Sequence, residues 1–266
     1  MKMNKLLIVG VLAACVSGCK MLGVGHEFPD TEKIELQGTY RGHLQDVWYA
    51  DGNIWWAHTQ KILRTDMTGK ILQSADVEGH NAGCEVKDGK LYVAVCVMQN
   101  KTKGKTTPEC HPQINVYDAT TLKLLETHVL EDIVDRSGSL AILEDGSFVV
   151  GCLRPQDISP TQVRFHHLTP DFKLIKSYVL DNVPVKLGIE VIKRQGDDLY
   201  LCCYYPKGLT IKLDKNFKEV ARYEANGTTG LVFDKEYAWI GSTKKNAEAN
   251  YYTSKLVRVP ASKFGR

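Results

Sequence analysis

A short hairpin recurs along this 266-residue chain, and that recurrence limits the fold more than any other feature of the sequence. Asp46-Val47-Trp48-Tyr49 turns at Asp51-Gly52 into Ile54-Trp55-Trp56, and Glu85-Val86 turns at Asp88-Gly89 into Leu91-Tyr92-Val93-Ala94-Val95. Leu140-Ala141-Ile142 turns at Asp145-Gly146 into Phe148-Val149-Val150, and Ile189-Glu190-Val191-Ile192 turns near Gly196 into Leu199-Tyr200-Leu201. A fifth copy runs from Leu231-Val232-Phe233 through Lys235-Glu236 into Ala238-Trp239-Ile240. Asp-Gly between alternating apolar runs is a strong hairpin signal, because its positive-φ turn matches the right-handed twist of the flanking strands. Each hairpin is followed by an outer pair of strand-like runs, such as Ile62–Thr65 and Ile71-Leu72, or Ile114–Tyr117 and Leu124-Leu125. The units return every ~40 to 55 residues, the spacing of propeller blades.

The fifth hairpin is followed only by Leu256-Val257-Arg258-Val259, so its outer strand is missing. The run from Lys33 to Tyr40 copies an outer strand and leads straight into the first hairpin. Pairing it beside Leu256–Val259 would close a ring and remove an exposed sheet edge. The expectation is an all-β, five-bladed β-propeller over residues 33–266, closed by its N-terminal strand. An open array of β-sandwich units is the alternative. The stretch from Asn115 to Thr127, strand, Asp-containing turn and strand, resembles the repeat of YVTN-type and quinoprotein-like propellers. That resemblance implies architecture and carries no catalytic residue onto this chain.

The start of the chain is a separate signal. Lys2 and Lys5 precede an apolar run from Leu6 to Val16, followed by Val16-Ser17-Gly18-Cys19. The run is too short to span a bilayer, and the pattern is that of a secretory signal. It resembles the lipobox of bacterial lipoproteins, which implies cleavage after Gly18 and acylation of Cys19. The domain reading is therefore a lipoprotein signal peptide over 1–18, a lipidated tether over 19–32 and the propeller over 33–266. The expected location is the cell envelope outside the cytoplasm, lipid-anchored to a membrane. Lys20 stands where inner-membrane retention would call for aspartate, so the outer membrane is preferred over the inner.

Composition excludes some partners. The formal net charge is +3, and residues 1–18 take two lysines and no acid with them, so nucleic-acid binding is not indicated. At 43% hydrophobic and 24% charged residues, the chain has ordinary globular composition. Beyond Cys15 and Cys19, six cysteines remain, enough for three disulfides in an oxidising compartment. Cys96, Cys152, Cys202 and Cys203 end strand-like runs and read as buried thiols. Cys110, in a loop, is the one expected to be bridged. That loop carries Lys101, Lys103 and Lys105, which read as a solvated tip or as a contact for acidic partners.

Inner strands line a propeller's axis. Counting back an even number from each turn glycine puts Asp46, Glu85 and Glu190 on one face, predicting three carboxylates at one level. The loops entering those strands add His43, His80, Arg136, Lys186 and Thr228. Such a set could bind an envelope protein or glycan on the axial face, or perform acid and base work on a glycosidic bond. It could also hold calcium in a lactonase-like site; no other metal site or cofactor is indicated. The structural alternative is that the acids cap backbone amides or pair with basic side chains of a neighbouring blade. Trp48 and Trp55 should face each other across the first hairpin, and His166 and His167 should point to opposite faces of a strand. No nucleophile elbow, phosphate-cradling loop or metalloprotease helix stands in register with its required elements. The leading expectation is a binding or scaffold module, and the rival is a carbohydrate-active hydrolase or lyase.

Overall fold

The computed structural model describes residues 28–98, 110–130, 132–133, 135–153, 155, 157–185, 187–204, 208–247 and 250–266. Cys19, Lys186 and the Lys101–Lys105 stretch lie outside the described residues.

Five antiparallel sheets follow one another around an axis, as the repeat requires. After β1 (Lys33–Glu35) and β2 (Tyr40–Arg41), blade one holds β3 (Leu44–Ala50), β4 (Asn53–His58), β5 (Lys61–Asp66) and β6 (Ile71–Asp76). Blade two holds β7 (His80–Lys87), β8 (Lys90–Met98), β9 (Cys110–Asp118) and β10 (Leu124–Val129). Blade three holds β11 (Arg136–Ile142), β12 (Phe148–Leu153), β13 (Val163–Leu168) and β14 (Leu174–Leu180). Blade four holds β15 (Ile189–Gln195), β16 (Asp198–Cys203), β17 (Leu209–Leu213) and β18 (Glu219–Tyr223). Blade five holds β19 (Leu231–Asp234), β20 (Tyr237–Lys245) and β21 (Tyr251–Pro260), with β1 as its outermost strand. Ile34 pairs with Leu256, so the two ends of the propeller close the ring as expected. The run from Lys33 to Tyr40 is two pieces rather than one strand. It breaks at Gly38, where φ is +89°, and resumes with Tyr40 opposite Tyr252.

Local chemistry sets the turns. Asp51 and Asp88 take φ of +48° and +51°, each followed by a positive-φ glycine, the pattern of a tight hairpin turn. In the outer turns the same Asp oxygen accepts two backbone N–H groups: from Thr68 and Lys70 at Asp66, Thr120 and Thr121 at Asp118, and Asn216 and Lys218 at Asp214. An aspartate that imitates a backbone turn is why these bends recur at fixed places.

The core lies between neighbouring blades. Trp56 and Trp239 are fully buried with Leu63 and Leu256 where blades five and one meet. Phe28 stacks on Trp239, with ring centroids 4.7 Å apart, and Asp30 accepts from Arg258 at 2.9 Å. The packed body thus begins before Lys33: Phe28 belongs to the ring rather than to a leash, since burying an aromatic ring contributes roughly 2 kcal/mol. Trp48 lies opposite Trp55 in register, as expected. The Trp55 indole N–H bonds to the Ala119 carbonyl of blade two, while the Trp48 ring faces the axis.

Cysteine chemistry differs from expectation at one position. Cys110 is bridged, and its partner is Cys96, read from sequence as a buried thiol. The hairpin register explains the pairing: Met98 lies opposite Cys110 and Cys96 opposite Pro112, so the two cysteines are diagonal neighbours, their Cα atoms 5.5 Å apart. Cys84, Cys152, Cys202 and Cys203 are buried free thiols.

Candidate axial binding site

Every blade contributes to a cavity of about 500 Å³ at one end of the axis. His43 and Gln45 come from blade one, His80 and Cys96 from blade two, and Arg136, Ser137 and Leu153 from blade three. Blade four adds Leu187, Glu190 and Tyr204, and blade five adds Thr228, Thr229, Thr243 and Tyr252. The sequence-predicted His43, His80, Arg136, Glu190 and Thr228 therefore meet here.

A shared irregularity puts them there. The inner strands of blades one to four each carry a bulge, between Leu44 and Asp46, Asn81 and Cys84, Ser137 and Ser139, and Ile189 and Val191. A bulge re-aims side chains and bends the strand. Gln45 and Glu190 are the extra residues of their bulges, and both face the cavity. His43, His80 and Arg136 occupy matching positions just upstream, so three basic groups ring one part of the mouth. The His43 and His80 rings are 6.5 Å apart, and His43 meets Tyr252 edge-on at 5.9 Å. Burial, then the neighbouring His43 and Arg136 side chains, lowers the pKa of His80 and favours its neutral imidazole.

Beneath the cavity the axis narrows to a polar waist. Trp48, Glu85, Ala141, Lys193 and Val232 stand level there, opposite Trp55, Tyr92, Val149, Tyr200 and Trp239 of the second strands. Asp46 is fully buried and accepts from Lys193 Nζ at 2.7 Å, from the Cys84 N–H at 2.9 Å and from the Val47 N–H at 2.8 Å. Lys193 also donates to the Cys84 carbonyl at 3.1 Å and lies over the Trp48 ring, 4.9 Å from its centroid. Glu85 accepts the Ile142 N–H at 3.0 Å, and Arg194 Nε donates to the Ile142 carbonyl at 3.2 Å. These bonds tie blade one to two and four, two to three, and three to four. The strands pass so closely that a Cβ on Gly83 would lie 2.6 Å from the Leu140 nitrogen.

Charge is unevenly held at the waist. Burial works against the Lys193 ammonium, but Asp46, Cys84 and Glu85 around it together outweigh that cost and raise its pKa, while burial also raises the pKa of Asp46. Burial pushes Glu85 up to about 7, with Lys193 and the Ile142 N–H pulling the other way.

The three acids thus do not share one level. Asp46 and Glu85 are sealed in the waist, and Glu190 is half-buried in the cavity wall. The turn glycines mislead the count: Gly52 is the second residue of its turn and Gly196 the first, so equal counts land one residue apart, and the bulge then sends Glu190 to the mouth. Lys193, Tyr204 and Tyr252 were not singled out from sequence. Lys193 sits beside Arg194 in a basic run, and only the pairing register says which of the two turns inward.

No family model matches the chain, and no curated protein matches it. Solved structures do. An exo-beta-1,3-galactanase from Phanerochaete chrysosporium superposes with a TM-score of 0.57 at 6% identity, over 86% of this chain and 64% of that one. The GH43 protein BlXynB from Bacillus licheniformis gives 0.58 at 9% identity, over 84% and 57%. BamB from Moraxella catarrhalis matches 82% of this chain and 59% of its own at 14% identity, with a TM-score of 0.39, too loose a likeness to argue from. The chain spans about three fifths of the length of these proteins, and identities this low establish the propeller fold alone.

Proposed function

We propose that this chain is a lipid-anchored binding protein of the cell envelope that takes an acidic glycan end into its axial cavity. The cavity carries the proposal. Arg136, His43 and His80 suit a carboxylate, the hydroxyls of Thr228, Thr229 and Thr243 with Gln45 suit sugar hydroxyls, and the Tyr204 and Tyr252 rings suit sugar faces. A volume of about 500 Å³ suits one or two sugar rings. Attachment through acylated Cys19, with the outer membrane as the preferred site, rests on the lipobox resemblance. A Cys19→Ala chain should move from the membrane fraction to the soluble one, and continued sedimentation with membranes would refute the anchor.

The rival reading is glycoside hydrolysis, favoured by the superposition on an exo-beta-1,3-galactanase and on a GH43 protein. Hydrolysis needs two carboxyl groups flanking the scissile bond. Among the described lining residues only Glu190 supplies one, because Asp46 is enclosed and committed to Lys193. Titrating the protein calorimetrically with acidic and neutral oligosaccharides separates the readings. Binding selects the acidic ligands without releasing reducing ends, and Arg136→Ala weakens it at least tenfold. Turnover, or indifference to the ligand's charge, would sink the proposal.

A further inference from the structure

One polar cluster lies apart from the axial cavity and the waist. On blade three, Cys152, His166 and Ser177 share the face that packs against blade two, because Val150 pairs with His166 and His166 with Ser177 in register. Their apolar neighbours Val150 and Leu168 join Ile114 and Val116 of blade two in a single core. Asp135, just before β11, completes the group. The donor atoms of Asp135, Cys152 and His166 all lie within 4.8 Å of one another, and all three residues are buried.

His166 is the telling member. It is 4% exposed, its Nδ1 lies 2.8 Å from Ser177 Oγ, and its buried Nε2 has Asp135 as a neighbour but no partner at full hydrogen-bond geometry. That nitrogen points into the cluster, 3.5 Å from Asp135 Oδ2. The ring proton can sit on either nitrogen: with Nε2–H it faces the Asp135 carboxylate directly, and in the tautomer whose Nδ1–H donates to Ser177 the Nε2 lone pair faces that carboxylate with room for a cation between them. A metal-binding histidine has this form: one ring nitrogen held by an outer partner, the other aimed at the ion.

We propose that Asp135, Cys152 and His166 bind a zinc-like divalent transition-metal ion between blades two and three. A thiolate, an imidazole and a carboxylate are the donor types zinc takes, with a water able to fill a fourth position. On binding, the Cys152 thiol loses its proton to solvent and the sulfur coordinates as thiolate. The surrounding charge fits a dication. Arg164 donates to Asp135 at 2.8 Å and to Asp157 at 2.8 Å, so two carboxylates and one thiolate face one guanidinium and the ion, which leaves the group neutral. Asp135 precedes Arg136 and Cys152 precedes Leu153, both in the cavity wall. The ion would therefore brace that wall from behind. The ion's site is separate from whatever the axial cavity binds.

The test strips the full-length protein in detergent with a chelator and titrates it with zinc and with cobalt(II). One equivalent of each is expected, cobalt producing a thiolate-to-metal charge-transfer band, and zinc raising the unfolding midpoint. Cys152→Ser removes the band, His166→Gln weakens zinc binding at least tenfold, and Ser177→Ala weakens it about tenfold while keeping the band, as an outer partner should. Should the ligand variants fail to fold, the wild-type cobalt spectrum and the Ser177→Ala affinity decide. A folded apo-protein that takes up no zinc, or a cobalt band that survives Cys152→Ser, overturns the site.

Discussion

At the waist of the axis, Asp46, Lys193 and Glu85 answer to backbone groups and to one another, whereas at the mouth His43, His80, Arg136 and Glu190 face a cavity. The same inner strands build both levels, and a bulge separates them. One level is enclosed and links blade to blade, and the other borders open space that a ligand can reach. Polar residues on a propeller axis are thus not a site by virtue of being axial; what counts is which side of the bulge they occupy.

The sharpest way to break this contrast is to remove the ammonium at the waist. Lys193→Met leaves Asp46 and Glu85 buried without their cation, and losing one partner of a buried pair costs about 3–5 kcal/mol. Urea unfolding should show that loss, and a change below about 1 kcal/mol would mean the waist does not staple the blades.

A second measurement uses pH. Glu85 has a folded pKa of about 7 against the ordinary 4.5, so the folded state holds its proton more tightly. Its contribution is complete below about pH 4.5 and is lost as pH rises through 7. His58 acts in the opposite sense. Burial lowers its pKa to about 4, so its contribution is complete above about pH 6.5 and is lost as pH falls toward 4. Glu85→Gln keeps an acceptor for the Ile142 N–H without the titration. Relative to wild type it should gain on the order of 2–3 kcal/mol between pH 5 and pH 8. Parallel pH profiles for the two proteins would rule out this role for Glu85.

The smallest expected effect belongs to the mouth. Glu190→Gln and His43→Ala should shift stability by less than about 1 kcal/mol, in the range of half-exposed substitutions, while altering ligand binding. A cost comparable to that of Lys193→Met would erase the distinction between the two levels.

Much of this was legible without coordinates. Asp51-Gly52 and Asp88-Gly89 announce their hairpins because few other dipeptides take that turn cheaply, and the missing outer strand after Val259 identifies Lys33–Glu35 as the closing piece. His43, His80, Arg136 and Thr228 could be placed at the mouth because they sit where loops enter the inner strands. The axial carboxylates could not be sorted in the same way. A bulge adds one residue without leaving a mark in composition, and one residue decides whether an acid faces the cavity or the waist. Lys193 stayed hidden for a related reason, since a buried lysine is identified by its partner, and Asp46 is three blades away in sequence. The Cys96–Cys110 bridge needed the hairpin register before Cys96 could be told from the other strand-borne cysteines.

Closing the ring with strands from opposite ends of the chain carries a consequence for how the molecule is made. Lys33–Glu35 pairs with Lys255–Val257 across the whole length of the propeller, so this ribbon must wait, unpaired and apolar at Ile34, until the last sheet has formed. Contacts so distant in sequence slow folding. Any factor that shields that waiting strand would govern the yield of finished protein more than the stability of any single blade.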